Sequence, residues 1–357
     1  MPERVLVTGA SGFIAGYCIR DLLERGYAVR GTVRDLSATA KVSHLQGLAD
    51  RHGADLELVA AGLDSDAGWA DAVAGCDHVM HVASPFPGGT PDNEDELIRP
   101  AVDGTLRVLR AAAASGTVKR VVLTSSIAAV SFGHDEHHPT LRTEQDWSVV
   151  ERSPAYQKSK TLAERAAWDY IAAMPANQHL ELAVINPGLV LGPVQTEGVN
   201  TSVDVVRMLL AREQPGSPSI GFATVDVRDL AVAHRLAMEL PQAAGNRYIC
   251  AGGNIWMREI AKVLATEFNP RGFRVPTAGV PTWLVWIVAR FDPTMRLALQ
   301  LVGREELVSS DRAKRELGWT MRPVQQTIID TAESLIEYGI VSPSSTRRRR
   351  GQPAAAR

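Results

Sequence analysis

Tyr156 and Lys160 stand four residues apart in the run Tyr156-Gln157-Lys158-Ser159-Lys160. On a helix that spacing puts both side chains on one face. A phenol beside an ammonium is the equipment for moving a proton to or from an oxygen. A free tyrosine titrates near pH ~10, and a neighbouring cation favours tyrosinate and draws the group toward the working range. Lys158, at a spacing of two, points elsewhere. Upstream, Leu123-Thr124-Ser125-Ser126 closes an apolar strand. A hydroxyl at that strand end would hydrogen-bond a reacting oxygen and stabilise charge developing on it, although strand-end serines also serve turn backbone. A proton donor with an oxygen-binding hydroxyl suits reduction of a carbonyl, which needs a proton at oxygen and a hydride at carbon.

A source for the hydride is written at the other end of the chain. Thr8-Gly9-Ala10-Ser11-Gly12-Phe13-Ile14-Ala15 joins an apolar strand to a helix. Gly9 permits the tight turn, and Gly12 lets the backbone approach a pyrophosphate held at the helix N-terminus. Ala15 takes the place of a third small residue, where helix and strand pack closely. The strand–turn–helix context is the one a dinucleotide site requires, so Thr8, Gly9, Ser11, Gly12, Phe13 and Ile14 are assigned to cofactor binding. The second strand ends Gly31-Thr32-Val33-Arg34-Asp35. Val33 stands where an acid would bond the ribose hydroxyl of NAD. Arg34 follows, able to grip a 2′-phosphate in a bidentate way, and Lys41 adds a second positive charge. The cofactor expected is NADP(H). Asp35 as a displaced NAD-type acid is the competing reading.

These residues need a frame that holds strand ends and helix starts together. Apolar strands at Val5–Val7, Ala28–Val33, Leu56–Ala60, Val79–Val82, Arg120–Thr124 and Leu182–Ile185 alternate with helical stretches, the longest being Leu97–Ser115 and Tyr156–Met174. Such alternation implies an α/β fold with a doubly wound parallel sheet, its ligand at the carboxyl ends of the strands. Residues 1–185 form the expected dinucleotide-binding domain, with later returns near 220–251. Residues 186–341 are mainly a smaller substrate-binding cap, with helices at Met257–Phe268, Glu305–Leu317 and Val324–Tyr338. Residues 342–357, rich in Ser, Pro, Arg and Ala, form a disordered basic tail.

Composition narrows the function class. The 357 residues are 45% hydrophobic and 22% charged, with net charge −2, so no global field favours nucleic acid or an anionic membrane. Cys18, Cys76 and Cys250 have no metal-ligand spacing and suit a reducing compartment. No signal peptide or spanning segment is evident, and a cytoplasmic monomer or homodimer with a small-molecule substrate is expected. His134-Asp135-Glu136-His137-His138 lies in a loop ending at Pro139, so no metal is expected there. His81 is read as a packed core histidine, and Trp283 and Trp286 as packing within the cap.

Taken jointly, the segments Val7-Thr8-Gly9-Ala10-Ser11-Gly12-Phe13-Ile14, His81-Val82-Ala83-Ser84-Pro85-Phe86, Tyr156-Gln157-Lys158-Ser159-Lys160, Asn186-Pro187-Gly188-Leu189-Val190-Leu191-Gly192-Pro193 and Lys314-Arg315-Glu316-Leu317-Gly318-Trp319 resemble an extended short-chain dehydrogenase/reductase. The likeness is to the dihydroflavonol reductase-like branch, which includes cinnamoyl-CoA reductases and microbial aldehyde and ketone reductases. The resemblance runs from about residue 4 to about residue 338. It implies NADPH, with Arg34 and Lys41 at the 2′-phosphate and Val82, Ala83 and Ser84 along the adenine ribose and pyrophosphate. Pro187, Gly188 and Leu189 would flank the nicotinamide. Ser126, rather than Ser125, would join Tyr156 and Lys160 as the catalytic group, and Lys160 would also bond the nicotinamide ribose. Gly62 and Leu63 would lie near the adenine, although the family often has Ala-Asp-Leu here and Gly62 takes the place of its acid, with Asp64 following Leu63. Ser131 stands where plant flavonoid reductases carry Asn or Asp, and Ser153-Pro154-Ala155 precedes the tyrosine in place of the cysteine-containing cinnamoyl-CoA signature. A microbial aldehyde or ketone reductase is the expectation. Alternatives are a hydroxysteroid dehydrogenase, a nucleotide-sugar epimerase or dehydratase, and a regulator that binds dinucleotide without turning it over.

Overall fold

A computed structural model describes residues 2–38, 42–85, 93–134, 140–175, 178–198, 200–290, 299 and 301–343. The chain divides into two compact units. The first comprises Met1–Gly188, Val227–Gly253 and Leu307–Met321; the second comprises Leu189–Asp226, Asn254–Glu306 and Arg322–Arg357.

The first unit is built on seven strands: β1 (Arg4–Val7), β2 (Ala28–Val33), β3 (Leu56–Ala60), β4 (His78–His81), β5 (Arg120–Thr124), β6 (Glu181–Pro187) and β9 (Asn246–Cys250). They run in the order β3-β2-β1-β4-β5-β6-β9, and every pairing is parallel. β1, β4 and β5 are buried almost throughout, as a sheet covered on both faces requires. The order reverses direction between β1 and β4. Right-handed crossovers therefore put the helices that follow β1 and β2 on one face and those that follow β4 and β5 on the other. The helices after β1 and β2 are α1 (Phe13–Glu24) and α2 (Ser43–His52); those of the opposite face are α4 (Asp95–Ser115) and α5 (Ala155–Ala172). A short helix, α3 (Trp69–Val73), precedes β4 and packs against α4. Alternate residues Val121 and Leu123 of β5, and Leu182 and Val184 of β6, meet Val108 and Leu109 of α4 and Ala167 of α5 in one buried cluster. Strand periodicity on one side and helical periodicity on the other make that core. α7 (Val227–Glu239) packs against α1.

Leu307–Met321 belongs to this unit, although the sequence places it within 186–341. Several interactions hold it there, two of them with residues distant in the chain from any helix of the segment's own. Arg142 and Leu307–Ser309 exchange backbone hydrogen bonds of 2.9 and 2.8 Å. Trp319, 1% exposed, donates its indole N–H to the Asp229 carbonyl of α7 at 2.8 Å. The same bridge shortens the expected helix 305–317 to Asp311–Leu317, because residues 307–309 use their backbone groups on Arg142.

The second unit holds a three-stranded sheet, β10 (Asn254–Trp256), β8 (Gly221–Asp226) and β7 (Leu189–Leu191), with β8 central. Helices α6 (Thr201–Leu210), α8 (Met257–Phe268) and Val324–Glu337 pack around one another. Asn200 caps α6, its Oδ1 accepting from the Ser202 and Val203 N–H groups at 2.9 and 3.0 Å, the usual service of an N-cap asparagine. Ile260, Leu264 and Phe268 bury one stripe of α8. Trp283 and Trp286 correct the sequence reading. On α9 (Thr282–Val288) they are 65% and 51% exposed, and Arg290 stacks on the Trp286 ring at 4.4 Å. A seven-residue helix that buries only Val285 has no inward face for either indole.

Candidate active site

The glycine turn leaves β1 at the point where strand order reverses, which in open α/β sheets is where ligands bind. Gly9 has φ +70°, and a Cβ there would lie 3.0 Å from the Ala83 Cβ. The turn is tied on both sides. Gly9 N–H donates to Thr32 Oγ1 at 2.9 Å, and Ala10 N–H donates to the Thr32 carbonyl at 2.8 Å. Gly12 is the N-cap of α1 and supplies no side-chain cap, so the first N–H groups of the helix face outward beside exposed Ser11 and half-buried Phe13 and Ile14. That is an anion cradle in geometry and dipole.

Thr8 sits beneath the turn and does not line it. It is fully buried, its N–H bonds Met80 O at 3.0 Å, and its hydroxyl accepts from Ala83 N–H at 2.9 Å. The same hydroxyl lies 2.9 Å from His81 Nδ1. Burial, and then the Lys160 charge, push His81 down to about 3. It is a neutral support that hangs the glycine turn and the Val82–Ser84 segment from one hydroxyl.

Arg34 follows β2 and is exposed. Asp35 turns the other way: its Oδ1 accepts from Ser37 N–H at 2.8 Å and Ser37 Oγ at 2.7 Å. Lys41 lies outside the described residues. Gly62 and Leu63 follow β3, where the Gly62 carbonyl accepts from the Trp69 indole at 2.9 Å and the Leu63 carbonyl from Arg107. Pro187 ends β6 opposite Cys250, and Gly188 N–H reaches the Cys250 carbonyl at 3.3 Å. Leu189 opens β7 in the second unit.

Tyr156 is the second residue of α5, and Lys160 follows one turn later. Lys160 Nζ lies 6.0 Å from the Tyr156 ring centre and donates to Ser84 Oγ at 2.8 Å, so α5 meets the segment after β4. Lys158 is bound elsewhere, 2.7 Å from Glu94. Tyr156 hydrogen-bonds the Ser126 hydroxyl, which lowers its pKa, but burial dominates and pushes the phenol up to about 12. The sequence alone suggests the reverse, a phenol drawn down by Lys160. The ammonium is directed at Ser84, and burial pulls Lys160 itself down to about 8 against the opposing charge of Glu164.

The two serines separate clearly. Ser125 is 5% exposed and donates to Glu164 Oε2 at 2.5 Å. Ser126 is partly exposed and caps the 3₁₀ turn Ile127–Ala129, its Oγ accepting from Ala128 N–H at 3.1 Å. Ser131 is 7% exposed and bonds the Ile127 carbonyl at 3.2 Å. Behind Ser126 is a buried network that sequence spacing does not reveal. Glu164, one turn beyond Lys160, receives Arg247 Nε at 2.5 Å and Asn186 Nδ2 at 2.8 Å. Asn186 Nδ2 also donates to the Ser126 carbonyl at 3.1 Å. The one sequence sign is the i, i+4 spacing of Lys160 and Glu164.

Residues 5–251 match the NAD dependent epimerase/dehydratase family. The chain belongs to that family. Within it, a cinnamoyl-CoA reductase of Medicago truncatula is 41% identical over 338 residues, 93% of this chain and 95% of that protein. A dihydroflavonol 4-reductase of Arabidopsis thaliana is 37% identical over 274 residues, 74% of this chain and 70% of that protein. Among solved structures, the yeast methylglyoxal/isovaleraldehyde reductase Gre2, complexed with NADPH, matches with TM-score 0.76 and 28% identity, over 95% of this chain and 100% of that one. This family member is an NAD(P)-dependent oxidoreductase of the dihydroflavonol reductase-like branch. Among its described residues no helix is long and apolar enough to cross a membrane, and no group of three or more acidic, His or Cys side chains is arranged to hold a metal.

Proposed function

We propose that the protein is an NADPH-dependent reductase of a small aldehyde or ketone, with Tyr156 as the proton donor. The observation that carries this is the Tyr156–Ser126 hydrogen bond at the carboxyl end of β5, with the Lys160 ammonium one helical turn behind it. The residues present fit a dinucleotide: a glycine cradle that a Cβ would fill, an uncapped helix N-terminus, and Lys160 and Ser84 at the end of β4. Thr8 underpins that cradle from below, while Gly9, Ser11, Gly12, Phe13 and Ile14 face the phosphates. Exposed Arg34 is the group for a 2′-phosphate, since the Asp35 carboxylate is turned onto Ser37. The chemistry that a reduced nicotinamide supplies when bound is a hydride for the carbonyl carbon.

The chain's own residues do the rest. Ser126 holds the carbonyl oxygen and Tyr156 gives it a proton. A phenol pushed up to about 12 stays protonated at neutral pH, so the proton is there to give, and positive charge brought beside the phenol draws it back toward the range in which it is released. Lys160 offers positive charge to the tyrosinate left behind. Its pKa of about 8 makes turnover fall on the alkaline side of neutrality, as the ammonium loses its proton. A second reading, reduction of a coenzyme A thioester, is favoured by the 41% identity to the Medicago protein. Against it stands Ser153-Pro154-Ala155 in place of the cysteine-containing signature.

The test is NADPH oxidation with aldehydes, diketones, steroids and cinnamoyl-CoA, using wild type and Tyr156→Phe. Tyr156→Phe should lower kcat by about 10²–10⁴ and leave NADPH affinity within about twofold. A variant keeping more than half its activity removes Tyr156 as donor, and turnover of cinnamoyl-CoA alone favours the thioester reading.

A further inference from the structure

Glu164 is an unusual neighbour for a proton-transfer site. Its side chain is wholly buried, yet it collects donors from four parts of the chain. Ser125 Oγ after β5, Asn186 Nδ2 on β6 and Arg247 Nη2 on β9 reach Oε2 at 2.5, 2.8 and 3.4 Å. Arg247 Nε and the Trp168 indole reach Oε1 at 2.5 and 3.4 Å. Arg247 is fixed in turn by the Glu144 and Asp146 carbonyls at 3.0 and 2.9 Å and lies over the Trp147 ring at 3.8 Å. Buried ion pairs rarely repay their own desolvation, and apolar residues of like volume hold a fold as well. A charge kept here therefore calls for a reason other than stability.

The geometry supplies one. Tyr156, Lys160 and Glu164 occupy successive turns of one face of α5. Asn186 joins Glu164 to the main chain of Ser126, with one N–H on the carboxylate and the other on the Ser126 carbonyl. That orientation leaves the buried Asn186 Oδ1 without a partner; the flipped amide would set its oxygen against two acceptors.

We propose that Glu164 is a positioning residue for Ser126, Tyr156 and Lys160: with Asn186 and Arg247 it holds the Ser126 backbone in register with α5 and sets the charge behind Lys160. The proposal rests on the assignment of Tyr156 as donor. Among the described residues, the groups that face Lys160 are the Tyr156 phenol and Glu164 on α5, Ser84 Oγ after β4 and neutral His81 at the end of β4. Among them Glu164 is the group whose charge favours the ammonium, opposing the burial that draws Lys160 down to about 8. Arg247, behind it, moderates that field.

The sign follows. Glu164→Gln removes the negative charge, so Lys160 loses its proton at lower pH and the alkaline limb of kcat moves down by about one pH unit. Starting from about 8, that shift lowers kcat at pH 7.5 by roughly threefold, and by about tenfold well above pH 8, with KM for the carbonyl substrate within about threefold. Glu164→Asp keeps the charge but withdraws the carboxylate by one methylene. It should retain the wild-type limb while losing part of kcat. Asn186→Ala frees the Ser126 carbonyl and should lower kcat roughly tenfold with limb and KM unchanged.

The measurement is kcat against pH for each variant, with the folded fraction fixed by circular dichroism and cofactor titration. A folded Glu164→Gln enzyme with wild-type kcat and limb overturns the proposal. If Glu164→Gln does not fold, the other two variants decide: wild-type kcat per folded site in both overturns it, and a kcat loss at constant KM and limb supports it. Tyr156→Phe is run alongside. If Tyr156→Phe is inactive and the network variants behave as wild type, only this proposal fails; an active Tyr156→Phe sinks the assignment beneath it.

Discussion

Replacing Arg34 by alanine tests the cofactor assignment most directly. The side chain is exposed at the end of β2, and the neighbouring carboxylate is turned onto Ser37. A guanidinium there would meet a 2′-phosphate with two charge-assisted hydrogen bonds, each worth about 1.5–3 kcal/mol. Exposure reduces that sum: salt screens the pair, and surface ion pairs measure about 0–1 kcal/mol. A phosphate of nearly two charges gripped in a bidentate way lies between these limits, at about 2–3 kcal/mol. Arg34→Ala should then lower kcat/KM with NADPH by roughly 30- to 150-fold. With NADH, which lacks the phosphate, the change should stay within about threefold. The assay is kcat/KM for both cofactors on one aldehyde, at low and high ionic strength. The wild-type preference should shrink with salt, and the variant's should not. A wild-type enzyme that prefers NADH, or a variant weakened equally for both cofactors, would refute the reasoning and return Asp35 to consideration.

Two further outcomes follow from the turn and from the buried histidines. Gly9→Ala forces φ +70° on a residue with a Cβ and brings that carbon within 3.0 Å of Ala83; strain of about 1–2 kcal/mol plus overpacking should weaken NADPH binding at least tenfold in fluorescence titration. Gly26→Ala, at φ +85° with nothing within 4 Å of the added carbon, should lower Tm and leave NADPH affinity unchanged; equal effects of the two on affinity would sink the cradle. His81 and His234 are buried and pushed down to about 3 and about 4, so below pH ~6.5 the unfolded chain binds protons that the folded one refuses. Stability should be full above that pH and drop by about 3–4 kcal/mol between pH 7 and pH 5, read from denaturant midpoints. A flat profile over that window would show that neither imidazole is held neutral.

What the sequence by itself determines here is local. The βαβ alternation, the glycine turn and the shared face of Tyr156 and Lys160 each follow from spacing within a few turns of chain, where helical and strand periodicity act directly. The matching elements stand where the alternation places them, from β1 to β6. Tertiary structure decided whatever depends on residues far apart in the chain. Spacing alone does not separate Ser125 from Ser126, and at that level only the family resemblance favours Ser126; the arrival of Glu164, 39 residues later, is what takes one hydroxyl inward and leaves the other beside Tyr156. Thr8 reads as a ligand-lining residue until His81, 73 residues on, claims its hydroxyl. The Tyr156 pKa has the same dependence: the nearby lysine suggests a fall, and burial reverses it. Leu307–Met321 joins the first unit because Arg142 and Asp229 accept it, and no periodicity within the segment announces either partner. Burial and long-range hydrogen bonds are properties of the packed chain, and they set which of two adjacent side chains can act and which way a titrating group moves.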